Sequence, residues 1–453
     1  MKICLIYPRF KYVSGDPPLG LAYIASHIRR MPNVDVSILD TTFNSSFEYV
    51  KTFLTEQRPD IVGIYFDTIM FNDGLKIAKI AKKLGIFVIA GGPHATVMPE
   101  TLINNVDAVA IGEGEEIVKN LIENFPNLRK VKGIFYKENG KIYKNPPQPR
   151  IVNLDSLNFP SRDLLEMEKY INNWHLLDSV DVNLRGTNII ASRGCPFNCS
   201  FCQPTLRTLF GDVVRKRSPE NVIKEINRIV NQYELDGIFF HDDTFTINKD
   251  WIIKFCDLLN KEGLGILWGC NSRVNTIDKE LMQIMYKAGL RELHIGIESG
   301  SQRILDEIYQ KGIRLEDARK VVKMAKEIGI NTLCFFMLGA PTETEEEIWK
   351  TINFALSLDA NEITFSITTP LPKTRLYDIV KENYTISKDF SDFDYYSKRA
   401  FYDKNLDINK LKKLQKIALL KFYTSPKRWK YTFKHVTSTK GIRKMMTKLK
   451  RFA

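Results

Sequence analysis

The stretch Thr187-Asn188-Ile189-Ile190-Ala191-Ser192-Arg193-Gly194-Cys195-Pro196-Phe197-Asn198-Cys199-Ser200-Phe201-Cys202 decides the fold of the second half of the chain. Its first six residues read as a short buried strand, and the strand runs directly into a loop with three cysteines. Three soft thiolates spaced C-x3-C-x2-C can converge on one face, and their softness selects iron–sulfur or zinc. A structural zinc ion closes a shell of four protein ligands, yet no further His or Cys follows at finger-like spacing. An open set of three favours a cluster with one iron left for a small molecule.

The same alternation continues downstream. Gly237 to His241, Ile266 to Cys270, Glu292 to Glu298, Asn331 to Leu338 and Glu362 to Thr368 read as strands separated by helical patterns. Six such units predict a partial (β/α)6 TIM-type barrel over residues 187–385, with functional groups at the C-terminal strand ends. Upstream, Lys2 to Tyr7, Val34 to Asp40, Ile61 to Asp67, Ile86 to Ala90 and Ala108 to Ile111 alternate with helical spacing at Gly20 to Arg30, Phe47 to Gln57 and Asn72 to Leu84. Short buried strands joined by helices predict an α/β domain over residues 1–145, a doubly wound parallel sheet of Rossmann-like type. Gly133 to Tyr143 reads as a hairpin about Asn139-Gly140. Residues 146–186 read as a linker, and 386–453 as a basic helical extension.

Composition narrows the class. A chain of 453 residues exceeds one ordinary core. Its seven cysteines are too sparse for a disulfide framework, and three fall within eight residues. No apolar run is long enough for a bilayer and the first residues read as a strand, so the expectation is a cytoplasmic enzyme. The net charge of +13 is concentrated, because Lys410 to Ala453 holds fifteen Lys and Arg residues and no acid, leaving −2 for the rest. Leu411, Leu414, Ile417, Ala418 and Phe422 recur at helical spacing, followed by Trp429, Tyr431, Phe433, Met445, Met446 and Leu449 among basic residues. Such a segment lies peripherally on an anionic membrane, caps the catalytic domain with a solvated face, or, as a third option, meets nucleic acid through its basic and aromatic residues. A near-neutral body argues against a nucleic-acid partner.

The motif C-x3-C-x-aromatic-C, with Phe201 as the aromatic, resembles the signature of the radical S-adenosylmethionine superfamily. The resemblance implies a four-iron four-sulfur cluster on Cys195, Cys199 and Cys202 whose open iron chelates S-adenosylmethionine, and an external electron donor of flavodoxin or ferredoxin type. In that family, reductive cleavage of the cofactor gives a 5′-deoxyadenosyl radical. Asp242 and Asp243, after Phe239-Phe240-His241, fall where the family places acceptors for the methionyl ammonium. Arg273 matches the geometry of the cofactor carboxylate. Glu298 in Gly296-Ile297-Glu298-Ser299-Gly300 resembles a fourth-strand cofactor contact, and Gly339 would let backbone approach the adenine. Cys4, Cys256, Cys270 and Cys334 read as core thiols.

The N-terminal loops carry a second resemblance. The first has no G-x-G-x-x-G, which argues against a dinucleotide, and contains Asp16-Pro17-Pro18-Leu19-Gly20. Later strands end in Gly91-Gly92-Pro93-His94 and in Gly112-Glu113-Gly114. These phrases resemble the cobalamin-binding domain fused to one large class of radical S-adenosylmethionine enzymes, and the likeness runs from Met1 to Thr369. Pro18, Leu19, Gly20, Gly91, Gly92, His94, Gly112, Glu113 and Gly114 are the implied cobalamin contacts. The D-x-H-x-x-G motif is absent, so the lower face of cobalamin is expected to meet backbone and small side chains without a histidine ligand. The implied function is C-methylation of an unactivated carbon in a hydrophobic, lipid-like or small-molecule substrate. Radical cyclisation, rearrangement or oxidation is the alternative, and a non-catalytic cobalamin or iron–sulfur sensor stands in another class.

Overall fold

The computed structural model describes residues 1–404 and 406–428, and these form two compact units. The first comprises Met1–Tyr170, Pro204–Arg215 and Asp389–Ser391; the second comprises Ile171–Gln203, Lys216–Lys388 and the described residues from Asp392 onward.

In the first unit the order is β1 (Lys2–Tyr7), α1 (Leu19–Ile28), β2 (Asp35–Asp40), α2 (Phe47–Gln57), β3 (Ile61–Tyr65), α3 (Phe71–Lys83), β4 (Phe87–Gly91), α4 (Pro93–Val97), β5 (Ala108–Ala110) and α5 (Gly114–Asn124). A hairpin of β6 (Ile134–Glu138) and β7 (Lys141–Lys144) follows, and the short helix α6 (Thr205–Phe210) also belongs here. The sheet order is β2-β1-β3-β4-β5-β6-β7, parallel through β5 and antiparallel after it. Alternate residues serve opposite faces: Cys4 and Ile6 of β1 enter one apolar cluster, Ile3 and Leu5 the other. Burial on both faces is what a parallel sheet covered by helices demands. Asn139 and Gly140 both take positive φ, 50° and 77°, as the tight hairpin turn requires. Because β1 lies between β2 and β3, the strand order reverses there, and the C-terminal end of β1 is the position at which open sheets of this kind bind ligands.

The second unit runs β8 (Gly186–Ile189), α7 (Pro219–Tyr233), β9 (Gly237–Phe240), α8 (Lys249–Glu262), β10 (Leu267–Ser272), α9 (Lys279–Lys287), β11 (Leu290–Glu298), α10 (Leu315–Ile328), β12 (Asn331–Leu338), α11 (Glu345–Ser357), β13 (Glu362–Ile367) and α12 (Arg375–Asn383). All six strands are parallel, ordered β13-β12-β11-β10-β9-β8, giving the expected partial barrel. Side-chain caps start the helices: Ser218 on α7, Asn248 on α8, Asp278 on α9, Thr374 on α12, and a reciprocal Thr344–Glu347 box on α11.

One expectation changes. Residues 146–186 were expected to form a linker, but they divide between the units, and their last part is a plug for the barrel. Trp174 and Leu177 are fully buried beneath the N-terminal strand ends. A Cβ on Gly186 would lie 2.1 Å from Trp174, and one on Gly269 would lie 2.9 Å from Leu177, so glycines make the floor on which the plug rests. Large apolar side chains in a segment rich in turn residues are what the linker reading underweighted.

The first part of the basic extension follows the capping alternative. Its first helix, α13 (Ile408–Tyr423), buries Leu411, Leu414, Ala418 and Phe422. Gln415 Nε2 donates to the Phe365 carbonyl at 2.6 Å, and Tyr423 Oη donates to the Ile363 carbonyl at 3.2 Å. Helix α13 thus covers edge strand β13 and satisfies carbonyls that an open edge would leave bare. Trp429, Tyr431, Phe433, Met445, Met446 and Leu449 lie outside the described residues. Among the described residues no helix is long and apolar enough to cross a membrane.

Candidate functional site

The cysteine loop leaves β8 and is clamped by later parts of the second unit. Asp242, just past β9, is buried; its carboxylate accepts the Ala191 N–H at 3.0 Å and the Ser192 hydroxyl. Ser200 N–H donates to the Tyr309 carbonyl at 2.9 Å, Arg375 N–H to the Gln203 carbonyl at 2.9 Å, and Leu376 N–H to the Ser200 carbonyl at 3.0 Å. A loop with its backbone groups fixed on both sides presents its thiols from a settled geometry.

Cys199 is buried, and Cys195 and Cys202 are half-buried. Burial pushes the Cys195 and Cys202 thiols up, with the nearness of Cys199 adding to the rise in both. Among the described residues no three His, Cys, Asp or Glu side chains close around one ion. A cluster does not need them to, since its thiolates bind three different irons, and soft donors of this kind suit it. Cys195 Sγ lies 3.7 Å from Thr244 Oγ1, whereas Cys199 Sγ accepts a hydrogen bond from Arg273 Nη1 at 3.1 Å.

The other expected cofactor residues separate by environment. Both carboxylate oxygens of Asp242 are engaged by the loop, so it positions the cysteines instead of standing open to an ammonium group. Asp243 is reached by solvent although protein surrounds it; burial and then the Asp242 charge lift its carboxyl to about 6. Its carboxylate accepts no hydrogen bond among the described residues, so it fits an incoming ammonium. Glu298 sits at a β-bulge with φ of 76°, a conformation disfavoured for a side chain of its size, and pairs with Lys311 at 2.8 Å. Gly296 lies beneath that pair, where a Cβ would approach Glu298 Oε1 to 2.4 Å. Phe201 packs edge-on to Tyr309 at 5.5 Å, with Lys311 Nζ 5.5 Å from its ring centre. Gly339 takes φ of 83°, and a Cβ there would approach Leu411 of α13 to 2.7 Å.

Lys311, Phe197, Asn275 and Glu343 escaped the sequence reading. Asn275 supports Arg273 two residues away, a spacing that was open to inspection. Lys311 follows a short π-helical turn at Ile304–Ile308, and nothing local in its sequence marks it. Glu343 Oε2 accepts from the Gly339 and Ala340 N–H groups at 2.6 and 3.0 Å, and burial lifts its carboxyl to about 7. It holds the Gly339 turn in shape.

The first unit offers a different surface. Gly20 and Gly112 face open space, where an added Cβ would meet nothing within 4 Å. Gly92 allows a close backbone approach, since a Cβ there would fall 2.7 Å from the Phe66 carbonyl oxygen. Bare backbone at Gly20, in the first turn of α1, and at Gly112, after β5, fits a large flat ligand such as cobalamin. Gly91 lies beside Gly92, and a Cβ on Gly114 would press on Ile24 at 2.5 Å. Pro18 and Leu19 are buried where α1 starts.

His94 and Glu113 are already occupied. His94 is 1% exposed; Nδ1 lies 3.1 Å from Thr68 Oγ1 and Nε2 lies 3.1 Å from Thr101 Oγ1, while burial lowers its pKa to about 4. Neither ring nitrogen is free for cobalt. Glu113 accepts a two-pronged ion pair from Arg215, at 2.8 and 3.0 Å, and the Ile151 N–H at 3.2 Å.

Comparison with known proteins agrees with both units. The family model for the radical SAM superfamily matches residues 189–355, and the model for the B12 binding domain matches residues 13–122. An uncharacterized methyltransferase of Pyrococcus horikoshii is 39% identical over 94% of this chain and 93% of its own length. An anaerobic magnesium-protoporphyrin IX monomethyl ester cyclase of Rubrivivax gelatinosus is 31% identical over 83% of this chain and 69% of its own. Among solved structures, the radical S-adenosylmethionine methyltransferase TsrM of Kitasatospora setae, with cobalamin and a 4Fe-4S cluster bound, superposes with a TM-score of 0.70 at 18% identity, covering 84% of this chain and 74% of that one.

Proposed function

The chain belongs to the radical SAM superfamily, as a member with an N-terminal B12-binding domain, and from that premise we propose that it transfers a methyl group to an unactivated carbon of a hydrophobic small molecule. The observation that carries this reading is the near-full-length identity to a methyltransferase. When bound, the cluster, S-adenosylmethionine and cobalamin supply radical initiation and a methyl donor. Cys195, Cys199 and Cys202 hold the cluster, Asp243 takes the methionyl ammonium, and Asp242 fixes the loop that carries the thiols. In the first unit, Gly20 and Gly112 leave room for cobalamin.

One strand of the barrel supports the hydrophobic part of this reading. Along β12, Thr332, Cys334, Phe336 and Leu338 are buried while Leu333, Phe335 and Met337 are half-buried. With the outer face sealed by helices, these alternate residues give β12 an apolar stripe on the inner face, flanked in register by His294 of β11 and by Glu362, Thr364 and Ser366 of β13. A ferredoxin or flavodoxin serves as donor in this reading, and contact with an anionic bilayer, where the substrate is lipid-like, falls to residues 429–453.

The test is anaerobic incubation of the reconstituted protein with methyl-labelled S-adenosylmethionine and a metabolite extract. A product that carries the label and is heavier by one methylene is expected. The cyclase relative supports a second reading, radical chemistry without methyl transfer, which would instead give an unlabelled product of altered mass. Cofactor cleavage with neither product, across extracts that sustain a related enzyme, would defeat both.

A further inference from the structure

Arg273 is 6% exposed and leaves the end of β10 to meet Cys199, which is equally buried. Three contacts fix its guanidinium. Nη1 donates to Cys199 Sγ at 3.1 Å, Nε donates to Asn275 Oδ1 at 2.8 Å, and the group lies 4.0 Å above the ring centre of Phe197, on the same loop. All three partners are neutral apart from the thiolate that Cys199 becomes on binding iron.

The neighbouring cation differs. Lys311 is paired with Glu298 at 2.8 Å, so its charge is compensated within the protein. Arg273 has no carboxylate within ion-pair distance among the described residues. Cys195 instead faces a neutral hydroxyl, Thr244, and feels the negative charge of the Asp243 carboxylate. The loop therefore carries its uncompensated positive charge at one ligand, Cys199.

We propose that Arg273 sets the reduction potential of the cluster through Cys199. The step concerned is transfer of one electron from a ferredoxin- or flavodoxin-type donor to the oxidised cluster; no bond forms or breaks at Arg273 and no proton leaves it. Reduction adds one negative charge to the cluster. A fixed cation and an N–H donated to a ligand sulfur stabilise that added charge, more strongly in a dry site than in water, and so raise the potential. Guanidinium suits this task because it stays charged and stacks on an aromatic face. Arg273 is on this account a positioning residue for charge. The inference rests on Cys195, Cys199 and Cys202 being the cluster ligands and is independent of what the substrate receives.

The experiment uses the full chain, loaded anaerobically with iron and sulfide, without S-adenosylmethionine. The midpoint potential is read by mediated titration followed with electron paramagnetic resonance, beside iron and sulfide content. R273Q is expected to load iron as the parent does and to show a more negative midpoint, with R273K between the two. An unchanged midpoint in fully loaded R273Q overturns the proposal, and loss of the spectral change on adding S-adenosylmethionine would then assign Arg273 to the cofactor carboxylate alone. Should R273Q fail to load, N275A, which only frees the guanidinium from its lateral support, must lower the midpoint; an unchanged value there overturns it equally. Failure of the ligand assignment is distinguishable, because C199A would then keep its full iron.

Discussion

At the scale of single residues, the buried charges dictate what substitutions cost. Lys311 and Glu298 are each about 90% removed from solvent at their side chains and answer each other at 2.8 Å. Removing one partner strands the other, a loss of about 3–5 kcal/mol, whereas removing both can be close to neutral. K311M and E298Q should therefore each destabilise the chain strongly, and the double variant should lose much less than the two combined, as read by urea unfolding. Simple additivity would mean that the pair is not coupled. His94 gives a pH signature. In the folded chain it takes up a proton only near 4, and in the unfolded chain near 6.5. Between those values the unfolded state binds more protons, so folding stability drops as pH falls from about 6.5 to about 4, by at most about 3 kcal/mol. The parent should lose stability relative to H94Q on going from pH 7 to pH 5. A constant difference between the two would place the acid sensitivity elsewhere.

At the scale of elements, the strand–loop–helix alternation was legible because periodicity and turn residues agree locally. Lys2–Tyr7, Phe47–Gln57 and Asn331–Leu338 were read to the residue, since apolar runs end there at polar or Gly-rich breaks. The cysteine loop was legible for a chemical reason: three thiols in eight residues have few other uses. Lys311 was hidden because its importance is a distance across the fold, and the occupied state of His94 and Glu113 depends in part on Thr68 and Arg215, remote in sequence. The plug was hidden too, because Trp174 meets Gly186 and Gly237 only once the barrel has curled. That contact carries its own prediction. With Trp174 ring atoms 2.1–2.5 Å from where a Cβ would sit, G186A must displace the indole, and overpacking of this kind costs about 1–3 kcal/mol. Unfolding at lower urea with a shifted tryptophan emission is expected; an unaltered midpoint would show that the plug yields freely.

At the scale of the whole molecule, the basic extension joins packing to charge. Its packing includes helix α13 and continues past it: Arg428 Nη2 donates to the Leu358 carbonyl at 2.8 Å and its guanidinium covers Phe422 at 3.6 Å. A chain stopped after Tyr423 would lose that seal, whereas one stopped after Arg428 keeps it. The later truncation removes eight Lys and Arg residues and no acid, taking the net charge from +13 to +5. Each basic residue near an anionic surface contributes about 1 kcal/mol at most, and screening at physiological salt confines the effect to about 8 Å. Truncation after Arg428 should therefore leave the unfolding transition and cofactor cleavage unchanged while abolishing sedimentation with anionic vesicles. Vesicles of neutral lipid should bind neither chain. Truncation after residue 407, which strips α13 from β13, should instead destabilise the second unit, because buried Leu411, Leu414, Ala418 and Phe422 leave with it. Anionic vesicles that still capture the chain ending at Arg428 would locate the attraction on the folded body and remove the membrane role from residues 429–453.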